Sequence, residues 1–253
     1  MNTLFEASGF QVEITNDGSP TLKQVRSGES MHHSGGAASE TWYIYGSVME
    51  TVFKQAALSK STDCIQVCNV GLGLGYIEMA WVILNFEKIN SHFDSFEISY
   101  DLQKHFSDWL ENKESVTTEI YNLAWNQLIA HSAHLIKSSE LRKQIQTEHL
   151  KRQLNFHGDI IQHKQNKKWN VICFDAFSNK TDHQIWTLEY LNYFLENHTA
   201  SDCVFTTYAS TSILKKALKS NGFKILNRSG FSGKRESTLA IRGPFMNHAF
   251  QIF

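Results

Sequence analysis

The residues with the clearest potential for chemistry are three glycines at alternate positions, Gly71, Gly73 and Gly75. They directly follow the mostly apolar run 64–70 and precede a second apolar run that begins at Tyr76. Glycines between a strand and a helix let the backbone turn tightly, and they let its N–H groups approach a ligand closely. The loop therefore predicts a site for a nucleotide-containing cofactor.

Two classes of cofactor use a glycine loop at this place. The dinucleotide fingerprint G-x-G-x-x-G/A needs a small residue at position 76, where this sequence has Tyr76. Here the third glycine comes one position earlier, and the resulting G-x-G-x-G spacing resembles the first motif of S-adenosylmethionine enzymes. We therefore expect S-adenosyl-L-methionine as the cofactor.

Three carboxylates follow successive predicted strands. Glu97 lies 22 residues after Gly75, where an acid accepts hydrogen bonds from ribose hydroxyls. Asp159 ends the third strand, within reach of an adenine edge. Asp175 ends the apolar run 171–174; because an unpaired buried acid is costly, we expect it to face the cleft at the carboxyl ends of the strands. The alternative for each acid is a structural role at a strand end or turn.

Asp175 suits one reaction in particular. The sulfonium loses its positive charge during methyl transfer, so a water-poor pocket favours the transition state. An amine acceptor must be neutral to attack, and a neighbouring carboxylate can take its proton and orient its lone pair. Phe177, two residues further on, would exclude water there, although an aromatic side chain also suits the core.

The elements that position these residues alternate between strands and helices from residue 64 onward. The predicted strands are rich in apolar residues and cover 64–70, 92–98, 154–161, 169–175, 203–208, 223–226 and 238–241. The intervening stretches, including most of 100–150, have helical spacing of apolar residues. This alternation predicts an α/β protein with a mostly parallel, doubly wound, seven-stranded sheet. The last two strands form a hairpin, which makes the terminal strand antiparallel.

An extension over residues 1–60 is predicted to precede the main domain, 61–253. Residues 10–14 alternate between apolar and polar, and Asn16-Asp17-Gly18 is a turn signal before a return strand over 22–25. This pattern indicates a β-hairpin. A loop of small residues over 27–40 and an amphipathic helix over 43–57 follow.

The composition narrows the class of protein. The 253 residues are 42% hydrophobic and 19% charged, which favours a folded α/β domain over a disordered chain. The N-terminus lacks a signal-peptide pattern, and the longest apolar stretch, 79–84, is far below the roughly 20 residues of a membrane helix. We expect a cytoplasmic protein with no membrane association. The four cysteines fall in predicted strands and the twelve histidines lack ligand spacing, so we expect reduced thiols and no metal.

The net charge of −1 hides an asymmetry. Residues 1–101 carry five basic and twelve acidic side chains, whereas residues 102–253 carry nineteen and thirteen. One stretch, 214–242, holds eight basic residues and a single acid, Glu236. This stretch fits either a nucleic-acid footprint or a solvated face.

Several motifs in order resemble the methyltransferase domain of the MnmC family, bacterial enzymes that modify the wobble uridine of certain transfer RNAs. The resemblance spans about residues 20–242. Its matching pieces include 28–37, 70–75, 95–97, 158–159, 175–178, 207–208, 221–223 and 230–236. Of these, Asp-Ala-Phe-Ser at 175–178 and Gly-Lys-Arg-Glu at 233–236 are the most specific.

The resemblance implies a Rossmann-like, class I S-adenosylmethionine-dependent methyltransferase. It implies conversion of 5-aminomethyl-uridine to 5-methylaminomethyl-uridine, often on a 2-thiolated base, so that the partner is the anticodon region of tRNA and Asp175 lies beside the amine. The implied cofactor contacts are Met31, His32, Gly36, Gly71, Gly73, Gly75, Glu97, Asp159, Asp175 and Ala176. The implied substrate contacts are Phe177, Lys180, Tyr208, Lys234 and Arg235.

The sequence departs from the family at a few places. Asn179 and His183 stand where the family has prolines, Asn69 replaces an acid before the first glycine, and 199–202 lack the usual glycine pair. No flavin-binding domain follows residue 253, so we expect another enzyme to supply the aminomethyl group. The alternatives are a methyltransferase for small-molecule amines, an aminopropyl transferase, and a non-catalytic RNA-binding protein on the same fold.

Overall fold

A computed structural model describes residues 3–59, 63–85, 89–132, 153–233 and 236–251. At the N-terminus, helix α1 (Thr3–Ala7) precedes the antiparallel strands β1 (Phe10–Ile14) and β2 (Pro20–Gln24). Gly18 in the intervening turn has a φ of 81°, which favours glycine. The predicted hairpin is confirmed, with its second strand beginning two residues earlier than expected.

A helical segment follows the hairpin and begins earlier than the sequence predicts. It consists of α2 (Ala37–Thr41), a π-helical turn (Trp42–Gly46) and α3 (Ser47–Leu58). The cap of its first turn comes from the β1–β2 turn: the Ser19 hydroxyl accepts from the N–H groups of Ala37 and Ala38, at 2.9 and 3.0 Å. Because the capping side chain is distant in sequence, local patterning does not reveal where the helix begins.

Within the described residues, the main sheet contains seven strands. They are β3 (Ile65–Val70), β4 (Ser91–Phe96), β5 (Leu154–His157), β6 (Trp169–Phe174), β7 (Thr199–Thr207), β8 (Lys224–Leu226) and β9 (Thr238–Arg242). Their spatial order is β5-β4-β3-β6-β7-β9-β8. Strands β3 to β7 pair in parallel, whereas β9 is antiparallel to both β7 and β8. The predicted mostly parallel sheet with an antiparallel terminal strand is confirmed.

Helices connect these strands. Their bounds are α4 (Tyr76–Leu84), α5 (Tyr100–Leu110), α6 (Thr118–His131), α7 (Leu188–His198), α8 (Ser212–Ser220) and α9 (Pro244–Ala249). Helices α5 and α6 confirm the helical prediction as far as residue 131. The rest of that prediction, over 133–150, lies outside the described residues.

Two buried clusters cover the opposite faces of the sheet. Val171 and Cys173 belong to one cluster, and Ile172 and Phe174 to the other. Because successive strand residues point to opposite faces, this alternation places helices α3 to α6 and the N-terminal hairpin on one side, and α7 and α8 on the other. The two layers leave the carboxyl edge of the central strands for a ligand.

The cysteines and histidines contribute to packing. All four cysteines are free thiols, and Cys68, Cys173 and Cys203 are buried. Burial raises the pKa of the Cys68 and Cys173 thiols well above the usual range, so they are neutral core groups. In the described ranges, no group of three or more His, Cys, Asp or Glu side chains is placed to hold a metal ion. No helix of the same ranges has the length and apolarity needed to cross a bilayer.

Candidate functional site

A cavity of about 810 Å³ lies at the carboxyl ends of β3, β4, β5 and β6. Its volume is within the range of small-molecule sites. The sequence-predicted residues that line it are Met31, His32, Gly71, Gly73, Glu97, Asp159, Asp175, Ala176, Phe177 and Tyr208. The fold thus gathers residues from five strand ends, including Tyr208 after β7, and from the N-terminal loop around one space.

The glycine loop forms the floor of this cavity. All three glycines have positive φ, at 102° for Gly71, 53° for Gly73 and 72° for Gly75. A Cβ on Gly71 would lie 2.6 Å from the carbonyl oxygen of Asp175, and one on Gly75 would lie 2.2 Å from the Phe106 ring. Gly71 and Gly73 line the cavity, whereas Gly75 does not, because it packs against Phe106 where α4 begins.

Glu97 follows β4 and reaches across to the glycine loop. One carboxylate oxygen accepts from the backbone N–H of Ser99 at 2.8 Å, and the other from the N–H of Gly73 at 3.3 Å. Burial raises the pKa of this carboxyl above its usual value, against the effect of these hydrogen bonds. A ligand with two adjacent hydroxyls, such as a ribose, would replace part of the lost hydration.

Asp159 lies at the end of β5 on the same edge. Its carboxylate accepts from the Ile161 N–H at 2.9 Å and so caps the short 3₁₀ turn Ile160–Gln162. The turn holds Asp159 and Ile160 against the cavity. Asp159 thus has a structural role as a cap, and it also lines the cavity where the sequence predicts a cofactor contact.

Asp175 lies directly after β6, opposite the glycine loop. Its backbone N–H donates to the carbonyl of Val70 at 2.8 Å, which fixes it beside the end of β3. Its carboxylate accepts from the hydroxyl of Tyr45 at 2.5 Å. Nearby, the Tyr208 hydroxyl donates to the Ala176 carbonyl at 2.9 Å. A carboxylate therefore faces the cavity with a fixed orientation.

The N-terminal loop covers one side of the cavity. Met31 lies against Gly73, since a Cβ there would be 3.0 Å from its Sδ. The His32 ring bonds the Thr21 hydroxyl at 2.9 Å and contacts Tyr76 edge-on. Gly36 does not line the cavity; a Cβ there would meet Ser39 and Asp17, so its place is at the start of α2.

Comparison with known proteins supports a particular cofactor for this cavity. A family of S-adenosyl-L-methionine-dependent methyltransferases matches residues 120–243. This match, over just under half of the chain, supports an S-adenosyl-L-methionine-dependent methyltransferase. Gly73 and Glu97, which the sequence predicts as contacts of this cofactor, lie together on one side of the cavity.

Two similar proteins extend the comparison beyond the matched range. The crystal structure of MnmC2 from Aquifex aeolicus superposes with a TM-score of 0.64 at 22% identity, covering 99% of this chain and 76% of that chain. The uncharacterized protein MJ0670 from Methanocaldococcus jannaschii is 28% identical over 241 residues, which are 91% of this chain and 59% of that protein. The chain therefore spans about three fifths of that relative's length. The first likeness confirms the fold of the described residues.

A contact that sequence reasoning missed joins the N-terminal loop of the methyltransferase to the loop after Asp175. The Glu29 carboxylate accepts from the Ser178 N–H at 2.9 Å and from the Ser178 hydroxyl at 3.0 Å, and the Thr181 hydroxyl donates to it as well. Glu29 and Thr181 both line the cavity. These partners are 149 and 152 residues apart in sequence, so no local pattern indicates the contact.

Glu29→Gln is expected to release the cofactor about tenfold faster. A carboxylate that accepts three donors loses part of this network as an amide, and hydrogen bonds to charged groups contribute about 1.5–3 kcal/mol each, less when half-exposed. Stopped-flow measurement of S-adenosyl-L-homocysteine dissociation checks the change. The matched control is Glu50→Gln, whose carboxylate pairs with Lys54 on α3. Equal dissociation rates in both variants would show that this contact does not hold the loop.

Three of the predicted substrate contacts are not found at the cavity among the described residues. Lys180 is exposed and does not line the cavity, although its neighbours Thr181 and Asp182 do. Lys234 and Arg235 lie outside the described residues. The two residues that stand where the family has prolines contact each other: the His183 Nδ1 and the Asn179 Oδ1 are 2.9 Å apart. A side-chain hydrogen bond thus closes the turn where prolines would restrict it.

Much of the basic stretch 214–242 is structural. The Arg228 guanidinium donates to the Ile44 carbonyl and the Thr206 hydroxyl, at 3.1 and 3.0 Å. Arg242 donates to the Asn221 carbonyl at 2.8 Å, and Lys215 pairs with Glu236. The exposed lysines of this stretch within the described ranges are Lys216, Lys219 and Lys224. Within the described residues, fewer basic side chains of this stretch are therefore exposed and unpaired than the sequence suggests.

A buried polar group lies beneath the glycine loop. The Asn69 amide donates to the Gly71 carbonyl at 2.9 Å and to the Glu78 carboxyl at 2.8 Å, and the Ser95 hydroxyl donates to Glu78 at 2.6 Å. Glu78 is fully buried, and this burial raises its pKa to about 7 in spite of the hydrogen bonds. The acid that the family places before the first glycine is thus absent at Asn69, and a carboxyl reaches the same spot from α4.

Glu78→Gln should change how stability depends on pH. A carboxyl whose pKa is raised to about 7 on folding stabilises the fold most below its unfolded pKa, and this contribution is lost as the pH rises through 7. The loss amounts to roughly 3 kcal/mol. We expect the free energy of unfolding in urea to fall between pH 5 and pH 8 more steeply for the wild type than for Glu78→Gln. Parallel curves for Glu78→Gln, the wild type and the control Glu50→Gln would contradict this account.

Proposed function

We propose that this methyltransferase methylates a primary amine, and that its acceptor is the 5-aminomethyl group of the wobble uridine in tRNA. The observation that carries the proposal is Asp175, a carboxylate oriented by Tyr45 in the same cavity as the glycine loop and Glu97. A carboxylate in such a place attracts an ammonium group and takes up the proton that must leave before attack.

The residues of the cavity have separate roles in the proposed reaction. S-adenosyl-L-methionine supplies an electrophilic methyl group on a sulfonium. Glu97, whose carboxylate accepts from the Gly73 N–H, would bind the nucleoside part through its ribose hydroxyls. Asp175 orients the acceptor amine and holds its proton. Phe177 and Met31 exclude water, which favours a reaction in which charge is neutralised.

The choice of tRNA is supported by the resemblance to MnmC-type domains. The Asp-Ala-Phe-Ser sequence at 175–178 lines the acceptor side of the cavity through its first three residues. The exposed lysines of α8, Lys216 and Lys219, offer positive charge for a phosphate backbone. A smaller amine would need no such surface.

The test uses methyl-labelled cofactor and tRNA that carries 5-aminomethyl-uridine at the wobble position. We expect the label in 5-methylaminomethyl-uridine after digestion to nucleosides. A parallel reaction offers spermidine and putrescine as small amines. Label in the small amines with unlabelled tRNA would overturn the tRNA proposal, and no label in any amine would overturn amine methylation.

A further inference from the structure

The π-helical turn Trp42–Gly46 places a tyrosine at the reaction site. A π turn adds one residue to a helix and is often found at functional sites. The Tyr45 side chain, 1% exposed, points from this turn to the ends of β6 and β7, where its hydroxyl meets Asp175 and Tyr208. The turn therefore connects the N-terminal segment to the acceptor side of the cavity.

Two hydrogen bonds from other elements anchor the turn. The carbonyl of Ile44 accepts from the Thr206 hydroxyl at 2.7 Å and from the Arg228 guanidinium at 3.1 Å. Arg228 also donates to the Thr206 hydroxyl at 3.0 Å. With its neighbouring carbonyl held by β7 and Arg228, the backbone of Tyr45 has little freedom to move away from Asp175.

The hydroxyl of Tyr45 makes two contacts of opposite kind. It donates to the Asp175 Oδ1 at 2.5 Å and accepts from the Tyr208 N–H at 3.4 Å. Burial first, and then the negative charge of Asp175, raise the pKa of Tyr45 well above its usual value. The phenol therefore stays protonated at neutral pH and can donate to Asp175.

We propose that Tyr45 is a positioning residue that holds the Asp175 carboxylate ionised and turned toward the acceptor amine. The inference rests on the proposed function, since it gives Asp175 its task. A donor that bonds the charged form of an acid favours that form, and it also fixes the rotation of the carboxylate. The titratable groups that face this pair are Tyr208, Cys173, Glu29, Glu40 and Arg228.

Tyr45→Phe removes the donor and keeps the ring. We expect kcat to fall by about 10- to 100-fold, with cofactor affinity changed less than about twofold because Tyr45 does not line the cavity. The acid limb of the kcat/KM profile should move to higher pH, because Asp175 then ionises less readily. The matched control is Tyr121→Phe, which removes a fully buried hydroxyl that has no hydrogen-bond partner among the described residues.

A second measurement works without any substrate. Carbon NMR of labelled aspartate carboxyls, with Asp175 assigned by its loss in Asp175→Asn, follows the titration of this group directly. We expect its midpoint to rise by about one pH unit in Tyr45→Phe and to stay unchanged in Tyr121→Phe. An unchanged midpoint in Tyr45→Phe overturns the positioning role. A raised midpoint in a protein that methylates no amine supports the role of Tyr45 and overturns only the proposed function.

Discussion

Asp175→Asn should leave S-adenosyl-L-methionine binding within about threefold of the wild type while turnover falls about 1000-fold. The amide keeps the size of the side chain and accepts from Tyr45, but it takes up no proton from the amine and does not attract an ammonium group. Proton transfer to a positioned base contributes about 10²- to 10⁴-fold to a rate. Cofactor affinity is measured by calorimetry, and turnover by transfer of labelled methyl groups.

The control for this variant is Asp182→Asn, a second carboxyl on the same cavity wall. Asp182 lies seven positions further along the loop, where its backbone N–H donates to the Ser178 carbonyl at 2.9 Å. We expect its loss to change turnover less than about tenfold. Equal losses in both variants would mean that the negative charge of the cavity matters rather than the base at Asp175.

Gly71→Ala should reduce cofactor affinity about 100-fold. The glycine has a φ of 102°, and a methyl group there would lie 2.6 Å from the Asp175 carbonyl oxygen. Because that oxygen belongs to the backbone, the glycine loop or the end of β6 must move, and conformational strain of this kind costs about 1–3 kcal/mol. Both segments line the cofactor cavity, so the displacement reaches the ligand.

Gly158→Ala is the matched control for this change. Gly158 lines the same cavity, but a Cβ on it has nothing within 4 Å. We expect cofactor affinity within about threefold of the wild type for this variant, with thermal unfolding recorded for both to separate binding from folding. A Gly71→Ala protein that binds the cofactor normally would show that the loop tolerates the methyl group.

The central strands and the first half of the site follow from sequence patterns. Apolar runs of five to seven residues, each ended by a glycine or an acid, predict the central strands and put Gly71, Glu97 and Asp175 at one edge. This works because each residue sits directly at the end of its own strand, and parallel strands end together. The position of each such residue can therefore be predicted from the sequence immediately around it.

The second half of the site depends on contacts between distant segments. Tyr45 reaches Asp175 from a π-helical turn, and no residue pattern at 42–46 predicts such a turn. Glu29 acts through partners about 150 residues away. Arg228 and Arg242 read as surface charge in the sequence, yet their guanidinium groups turn inward to carbonyls of the fold. The number of charged residues in a stretch of sequence does not show which of their side chains donate to buried acceptors.

The most direct test of a shared cofactor and acceptor cavity is a crystal structure of the methyltransferase with S-adenosyl-L-homocysteine. The account predicts ribose hydroxyls on the Glu97 carboxylate, the nucleoside along Gly71 and Gly73, and the sulfur facing Asp175. A nucleoside bound away from Glu97, or a sulfur turned away from Asp175, would contradict it.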